Sequence, residues 1–118
     1  MSTSKRTVDL LIEGFDLNQR RKFVLKNEKG DPIRDLYFKP ITRSDRKQAT
    51  VFANSEDALD LSTHMLCQKA ELKDGTKAFA HADAIQLQKK LPESVLNELE
   101  LFLFGVGEEV ALDEAKND

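Results

Sequence analysis

The sequence is poor in the residues on which metal binding and covalent chemistry usually depend. It contains one cysteine, Cys67, and two histidines, His64 and His81. A single cysteine excludes an internal disulfide and is consistent with a reducing compartment. His64 and Cys67 have the spacing of one helix face, but a zinc site usually needs roughly three or four protein ligands. We therefore predict neither a metal site nor a cofactor.

The sequence also lacks a recognisable catalytic arrangement. It has no glycine-rich phosphate loop and no glycine-flanked serine of the kind that exposes a hydrolase nucleophile. Glu98 and Glu100 do not share a helix face, so they do not predict a paired acid and base. We expect a protein that is not an enzyme.

Long apolar runs are absent as well. No run approaches the roughly 20 residues that cross a bilayer, and the apolar cluster near the start is short and includes Asp9. A length of 118 residues suits one small domain with a single core. These features predict a cytoplasmic protein without a membrane partner.

Charge is distributed unevenly along the chain. Residues 1–47 contain 12 Lys/Arg and 7 Asp/Glu, whereas residues 48–118 contain 6 and 14. Opposite charges could steer head-to-tail association between subunits, or they could neutralise each other within one molecule. The basic half, with Tyr37 and Phe38 on a predicted strand, also raises the possibility of nucleic-acid binding. The net charge of −3 makes that partner unfavourable.

The first forty residues have the pattern of strands. Residues 7–12, 22–26 and 33–39 are short, rich in β-branched and aromatic residues, and separated by polar or glycine-containing segments. Residues 27–32 include Gly30 and Pro32 and predict a hairpin loop. Together these segments predict a small antiparallel β-meander.

A helical period begins after Pro40. Thr42 and Asp45 predict a capping box for a helix over residues 43–53, and Asn54 or Ser55 predicts the cap of a central core helix that begins at residue 56. Ile41, Ala49 and Phe52 of the first helix, and an apolar arc of the second, are expected to face the core. That arc comprises Ala58, Leu59, Leu61, Met65, Leu66, Ala70 and Leu72.

Two further helices are expected after the Asp-Gly turn of residues 73–77, from which Phe79 returns to the core. They cover residues 82–91 and 92–104, and Gly105 ends the second. The predicted fold class is therefore α+β, with the small N-terminal β-meander followed by a four-helix, mainly α-helical part. We assign residues 1–107 to one domain and residues 108–118 to an acidic, flexible tail.

The last helix has more apolar residues than one buried face requires. One stripe is formed by Val95, Leu96, Leu99, Phe102 and Leu103, whereas Leu101 and Phe104 point more than a quarter-turn away from it. Either another part of the domain covers this second side, or a partner does.

Residues 37–105 resemble the tail assembly chaperones of long-tailed, siphophage or lambda-like, bacteriophages and prophages. The resemblance lies in the strand-to-helix entry YFKPITRSDRKQA, the central LDLSTHMLCQKAELKDGTKAF and the closing LQKKLPESVLNELELFLFG. It implies a non-enzymatic protein of the bacterial host cytoplasm that keeps the tape-measure protein soluble while tail-tube subunits assemble around it.

The resemblance also implies self-association and contact with the tape-measure protein, and possibly with the tail-tube protein. The candidate partner-binding residues are Leu87, Leu91, Leu101, Phe102 and Phe104. The alternative is a small adaptor or nucleic-acid-associated regulatory protein that uses the basic N-terminal half.

Overall fold

The computed structural model describes residues 6–105, which form an α+β fold. As the sequence predicts, a small antiparallel sheet is followed by four helices, but the sheet has two strands and one short helix precedes it. The predicted acidic tail, residues 108–118, and the last two residues of the predicted domain lie outside the described residues. The elements in chain order are α1 (Thr7–Glu13), β1 (Arg21–Lys26), β2 (Pro32–Phe38), α2 (Arg43–Ala53), α3 (Ala58–Lys69), α4 (Asp83–Lys90) and α5 (Glu93–Phe104).

The first predicted strand is a helix, so the predicted three-stranded meander is a two-stranded hairpin. α1 begins with hydrogen bonds from the Asp9 and Leu10 N–H groups to the Arg6 carbonyl. Its consecutive apolar residues do not alternate as a half-buried strand requires, and leucine favours a helix. On the open edge of β2, Tyr37 exchanges two backbone hydrogen bonds with Glu71, at 2.8 and 2.9 Å.

The hairpin β1–β2 forms as the sequence predicts. Gly30 adopts the left-handed region at φ 88°, and the Asn27 side-chain oxygen accepts from the Lys29 and Asp31 N–H groups, both at 2.9 Å. These local bonds fix the turn, and Phe23 consequently lies opposite Leu36 in the register.

The predicted capping box of α2 is confirmed. The Asp45 N–H donates to Thr42 Oγ1 at 3.1 Å, and the Thr42 N–H donates to Asp45 Oδ2 at 2.9 Å. Lys69 Nζ also donates to Asp45 Oδ2, at 3.0 Å, and joins α3 to α2. Burial alone would raise the pKa of Asp45, but the Thr42 and Lys69 contacts outweigh it and the pKa is lowered.

The predicted start and cap of the next helix are wrong. Asn54 adopts the left-handed conformation at φ 50° and ends α2, which an asparagine tolerates better than most residues. α3 begins at Ala58 and is capped by Asp57, whose Oδ1 accepts from the Leu59 and Asp60 N–H groups. The acid directly before α3 therefore caps it, and Ser55 Oγ accepts from the Asp57 N–H instead.

The core lies between the hairpin, α2, α3 and α5. Its buried residues are Leu36, Phe38, Ala49, Met65, Leu66, Ala70, Leu96, Leu99 and Leu103. Ile41, Leu72 and Phe79 pack against this cluster as predicted. Phe52 does not enter it: the side chain is 48% exposed, and its ring stacks on His81 with centroids 3.9 Å apart.

The predicted turns around the last two helices are confirmed. Gly75 and Gly105 have φ angles of 90° and 77°, and the Gly105 N–H caps α5 by donating to backbone carbonyls of its last turn. Pro92 immediately precedes α5, where it has no N–H to leave unpaired. Within residues 6–105, no helix is both long and apolar enough to cross a membrane.

The capping box gives a direct test of the fold. Thr42→Ala should lower the free energy of unfolding by about 0.5–2 kcal/mol, because it removes the acceptor for the Asp45 N–H. Urea denaturation measures this loss. Thr50→Ala is the matched control, since the exposed Thr50 hydroxyl bonds only to the Arg46 carbonyl of its own helix. Equal stability of the two variants would contradict the capping role.

Candidate partner-binding clefts

The five predicted partner-binding residues lie in different environments. Leu91 lines a cleft formed by α3, α4 and α5, and Phe104 lines a second cleft beside α2 and α3. Leu87 is half-buried and packs against the core from α4. Leu101 is 40% exposed on α5. Some of these residues are therefore accessible at the surface, and others pack with the core.

Phe102 holds the hairpin on α5. Its ring makes edge contacts with Phe23, at a centroid distance of 5.0 Å, and with Phe38, at 5.7 Å. The Arg21 guanidinium lies 4.6 Å from the centroid of the same ring, and Arg21 Nη2 donates to the Leu103 carbonyl at 3.0 Å. Packing inside the domain thus occupies Phe102, and its partner-binding role stays a prediction.

Leu101 lies on α5 between the two clefts. Asn97 lines the first cleft and Phe104 the second, and Leu101 follows one by four residues and precedes the other by three. Residues with these spacings share one side of a helix. Of the second side of the last helix, for which cover by the domain and cover by a partner both stayed open, Leu101 is exposed between the two clefts and Phe104 is half-buried.

The first cleft is apolar and acidic, and we call it the acidic cleft. It has a volume of about 390 Å³, and no lysine or arginine is among its described lining residues. Leu59, Leu91 and Leu96 provide its apolar surface. Its carboxylates come from Asp57, Asp60, Glu93 and Glu100.

Glu100 is the most buried acid of the acidic cleft, with 9% of the residue exposed. Burial raises the pKa of its carboxyl, and a hydrogen bond from the Thr63 hydroxyl at 2.9 Å offsets this only in part. The Thr63 hydroxyl has a single proton, and the Leu59 carbonyl oxygen, 3.0 Å from Thr63 Oγ1, is a second acceptor for it. Gln88 Nε2 donates to Thr63 Oγ1 at 3.3 Å and to Asp60 Oδ1 at 3.0 Å. These hydrogen bonds hold the polar side chains of the cleft lining in place beside its leucines.

The second cleft has the opposite charge, and we call it the basic cleft. It measures about 450 Å³ and is lined by Arg46, Ala58, Leu61, Ser62 and Phe104. The Arg46 guanidinium lies 5.9 Å from the centroid of the Phe104 ring. This cleft therefore combines an apolar wall with a cation.

The remaining reactive groups do not assemble around either cleft. Cys67 is buried, and its pKa is raised to about 12 by burial and by the charges of Asp83 and Glu100. Burial lowers the pKa of His81, and its ring lies 6.1 Å from that of His64. Within the described residues, no group of three or more His, Cys, Asp or Glu side chains could hold a metal ion.

A scan against protein-family models and searches of curated proteins and of solved structures found no match to this chain. The function must therefore be inferred from the surfaces of the chain itself.

Leu59 lines the acidic cleft, although its position in the sequence predicts a core residue. We expected it in the core arc, but it is 66% exposed, whereas Leu66, two turns later on the same side of α3, is fully buried. Helical periodicity identifies a face, but it does not show where the neighbouring element stops covering that face. Among the described elements, none buries Leu59 in the first turn of α3, so its side chain is exposed in the cleft.

The acidic cleft generates a prediction about pH. Because burial raises the pKa of Glu100, the folded state holds the Glu100 proton more tightly than the unfolded chain does. The resulting stability is present below the ordinary glutamate pKa and is lost as the pH rises through the raised value. Glu100→Gln should therefore raise the urea midpoint near neutral pH, and this gain should shrink at about pH 4.

Glu98→Gln provides the control, because Glu98 is an exposed acid on the same helix. It should show little difference between the two pH values. A gain for Glu100→Gln that is the same at both would contradict the assignment.

Proposed function

We propose that this chain is a non-enzymatic tail assembly chaperone of a long-tailed bacteriophage or prophage. In this role it binds apolar helical segments of the tape-measure protein in the bacterial cytoplasm and keeps them soluble during tail assembly. The proposal rests on the resemblance of residues 37–105 to that family, and its physical support is the acidic cleft with the exposed Leu101 beside it.

The acidic cleft has the chemistry of a helix-binding groove. An amphipathic helix places apolar side chains three and four residues apart, and a groove accepts them between its own apolar walls. Leu59 and Leu91 provide such walls, while Asp57, Asp60 and Glu93 can pair with lysines or arginines at the edge of a bound helix. The favoured partner segment is therefore amphipathic and basic.

The volume of the cleft limits what it can hold. About 390 Å³ accommodates a few anchoring side chains, whereas the body of a helix would lie along the surface outside. Leu101 extends the apolar contact beyond the cleft along α5. Each fully buried leucine contributes about 1.5–3 kcal/mol before ordering costs, so two anchors support modest affinity at each chaperone copy. Modest affinity suits binding by many copies along one extended partner.

The alternative, a regulator that binds nucleic acid through the basic half, has less support from the contacts. Arg20 donates to the Leu72 and Lys73 carbonyls and lies 4.6 Å from the Tyr37 ring centroid. Tyr37 is thus covered by a guanidinium on the face where a base would stack. Arg21 is engaged with Phe102 and Leu103.

The proposal predicts that one exposed leucine is needed for solubilisation and another is not. Leu59→Lys should weaken binding of the tape-measure protein about tenfold or more, because it removes an apolar wall and places a like charge opposite a basic helix. The measurement is the soluble fraction of the tape-measure protein from the same genome when the two proteins are co-expressed.

Ile85→Lys is the matched control: Ile85 is 61% exposed on α4 and is outside the lining of the acidic cleft. Its thermal unfolding and its solubilising effect should match those of the wild type. Equal solubilisation by both variants, with both folded, would refute the acidic cleft as the binding site.

A further inference from the structure

The largest exposed apolar feature outside the clefts is the α1 arm, which we define as residues 7–17. No residue of α1 is buried. Six large apolar side chains of the arm have exposed fractions between 47% and 70%: Val8, Leu10, Leu11, Ile12, Phe15 and Leu17. Scattered apolar residues are common on surfaces, but a contiguous group of this kind marks an interaction site.

The length of α1 also indicates that it needs a surface. The helix has seven residues, and isolated helices shorter than about 12–15 residues are marginal in water. The side chain of its N-cap residue, Arg6, makes no capping hydrogen bond. Packing of its apolar side chains against another surface would supply the stability that its own hydrogen bonds do not.

Charge selects between the two clefts as the surface for the arm. Residues 7–17 contain Asp9, Glu13 and Asp16 and no lysine or arginine. The carboxylates of the acidic cleft would repel such a segment. The basic cleft offers Arg46, with Arg43 and Lys47 exposed nearby on α2, so its charge complements that of the arm.

The apolar surfaces of the arm and the basic cleft also match. Leu61 and Phe104 form the apolar wall of the cleft, and both are half-buried, which leaves part of each side chain for a docked segment.

We propose that the α1 arm of one copy docks in the basic cleft of a second copy. Because the arm and the cleft are different surfaces, each copy can give one arm and receive one, either reciprocally within a pair or along a head-to-tail series. Reciprocal exchange ends at a two-fold dimer, whereas the head-to-tail series propagates into rings or open chains. The acidic cleft stays accessible in this arrangement, because the arm docks at the other cleft.

Mixing two variants tests this pairing directly. Leu11→Asp disables the arm and Arg46→Glu disables the cleft, so light scattering after size-exclusion chromatography should find each variant monomeric where the wild type associates. An equimolar mixture still has one intact arm facing one intact cleft. It should form a complex with the mass of two copies and grow no further.

Restoration on mixing requires that the Leu11 surface of one copy meets the Arg46 surface of another, because an interface that uses only one of these surfaces would leave the other variant associating like the wild type. Ile85→Asp, an exposed apolar residue on α4, is the control and should associate like the wild type. Circular dichroism of all variants verifies that they are folded.

Three outcomes of the scattering experiments would overturn the proposal. They are a wild type that is monomeric at every concentration tested, a mixture that stays monomeric, and variants that associate as the wild type does. Protection of the arm from hydrogen exchange in a wild-type monomer would place it on its own chain and would also refute docking by a second copy. The assay contains no tape-measure protein, so its failure would leave the proposed function standing.

Discussion

The position of Phe102 beneath the hairpin sets the orientation of α5, and the surfaces of the molecule follow from it. The Phe23 and Phe38 rings and the Arg21 guanidinium surround Phe102, and Arg21 also binds the carbonyl of the next residue. Successive helical residues are about 100° apart, so once Phe102 and Leu103 face the hairpin and core, Leu101 points away and is 40% exposed, whereas Phe104 is half-buried at the edge of the core. The helix therefore carries two apolar sides because one of them is already committed to the sheet.

The uneven charge distribution of the sequence corresponds to opposite charges in the two clefts. Carboxylates from the N-terminal end of α3 and from α5 surround the leucines of the acidic cleft, while α2 supplies the cation of the basic cleft. A basic amphipathic segment and an acidic apolar arm would therefore be directed to different places on one small domain. In the proposed assembly, this separation lets a chaperone copy contact its neighbours and its client at the same time.

Local signals predicted local structure well. The Thr42–Asp45 box, the Gly30 turn and the Gly105 cap depend on short-range hydrogen bonds and backbone geometry, and each forms as expected. Residues 7–12 were wrongly predicted as a strand because pairing depends on a partner edge, and Glu71 bonds to the open edge of β2. Periodicity separated Leu101 and Phe104 from the buried stripe of α5, and Leu101 is exposed whereas Phe104 is half-buried. The exposure of Leu59 could not be predicted, since periodicity does not show where a neighbouring element stops covering α3.

Cys67, the one thiol of the chain, lies inside the helical layer with a pKa raised to about 12. At physiological pH almost none of it is thiolate, which is the form that reacts with electrophiles and oxidants. Burial of the thiol therefore predicts slow reaction of the folded protein with sulfhydryl reagents. A cysteine introduced on any solvent-facing helix would carry a fluorophore or spin label alone, without the native one having to be replaced.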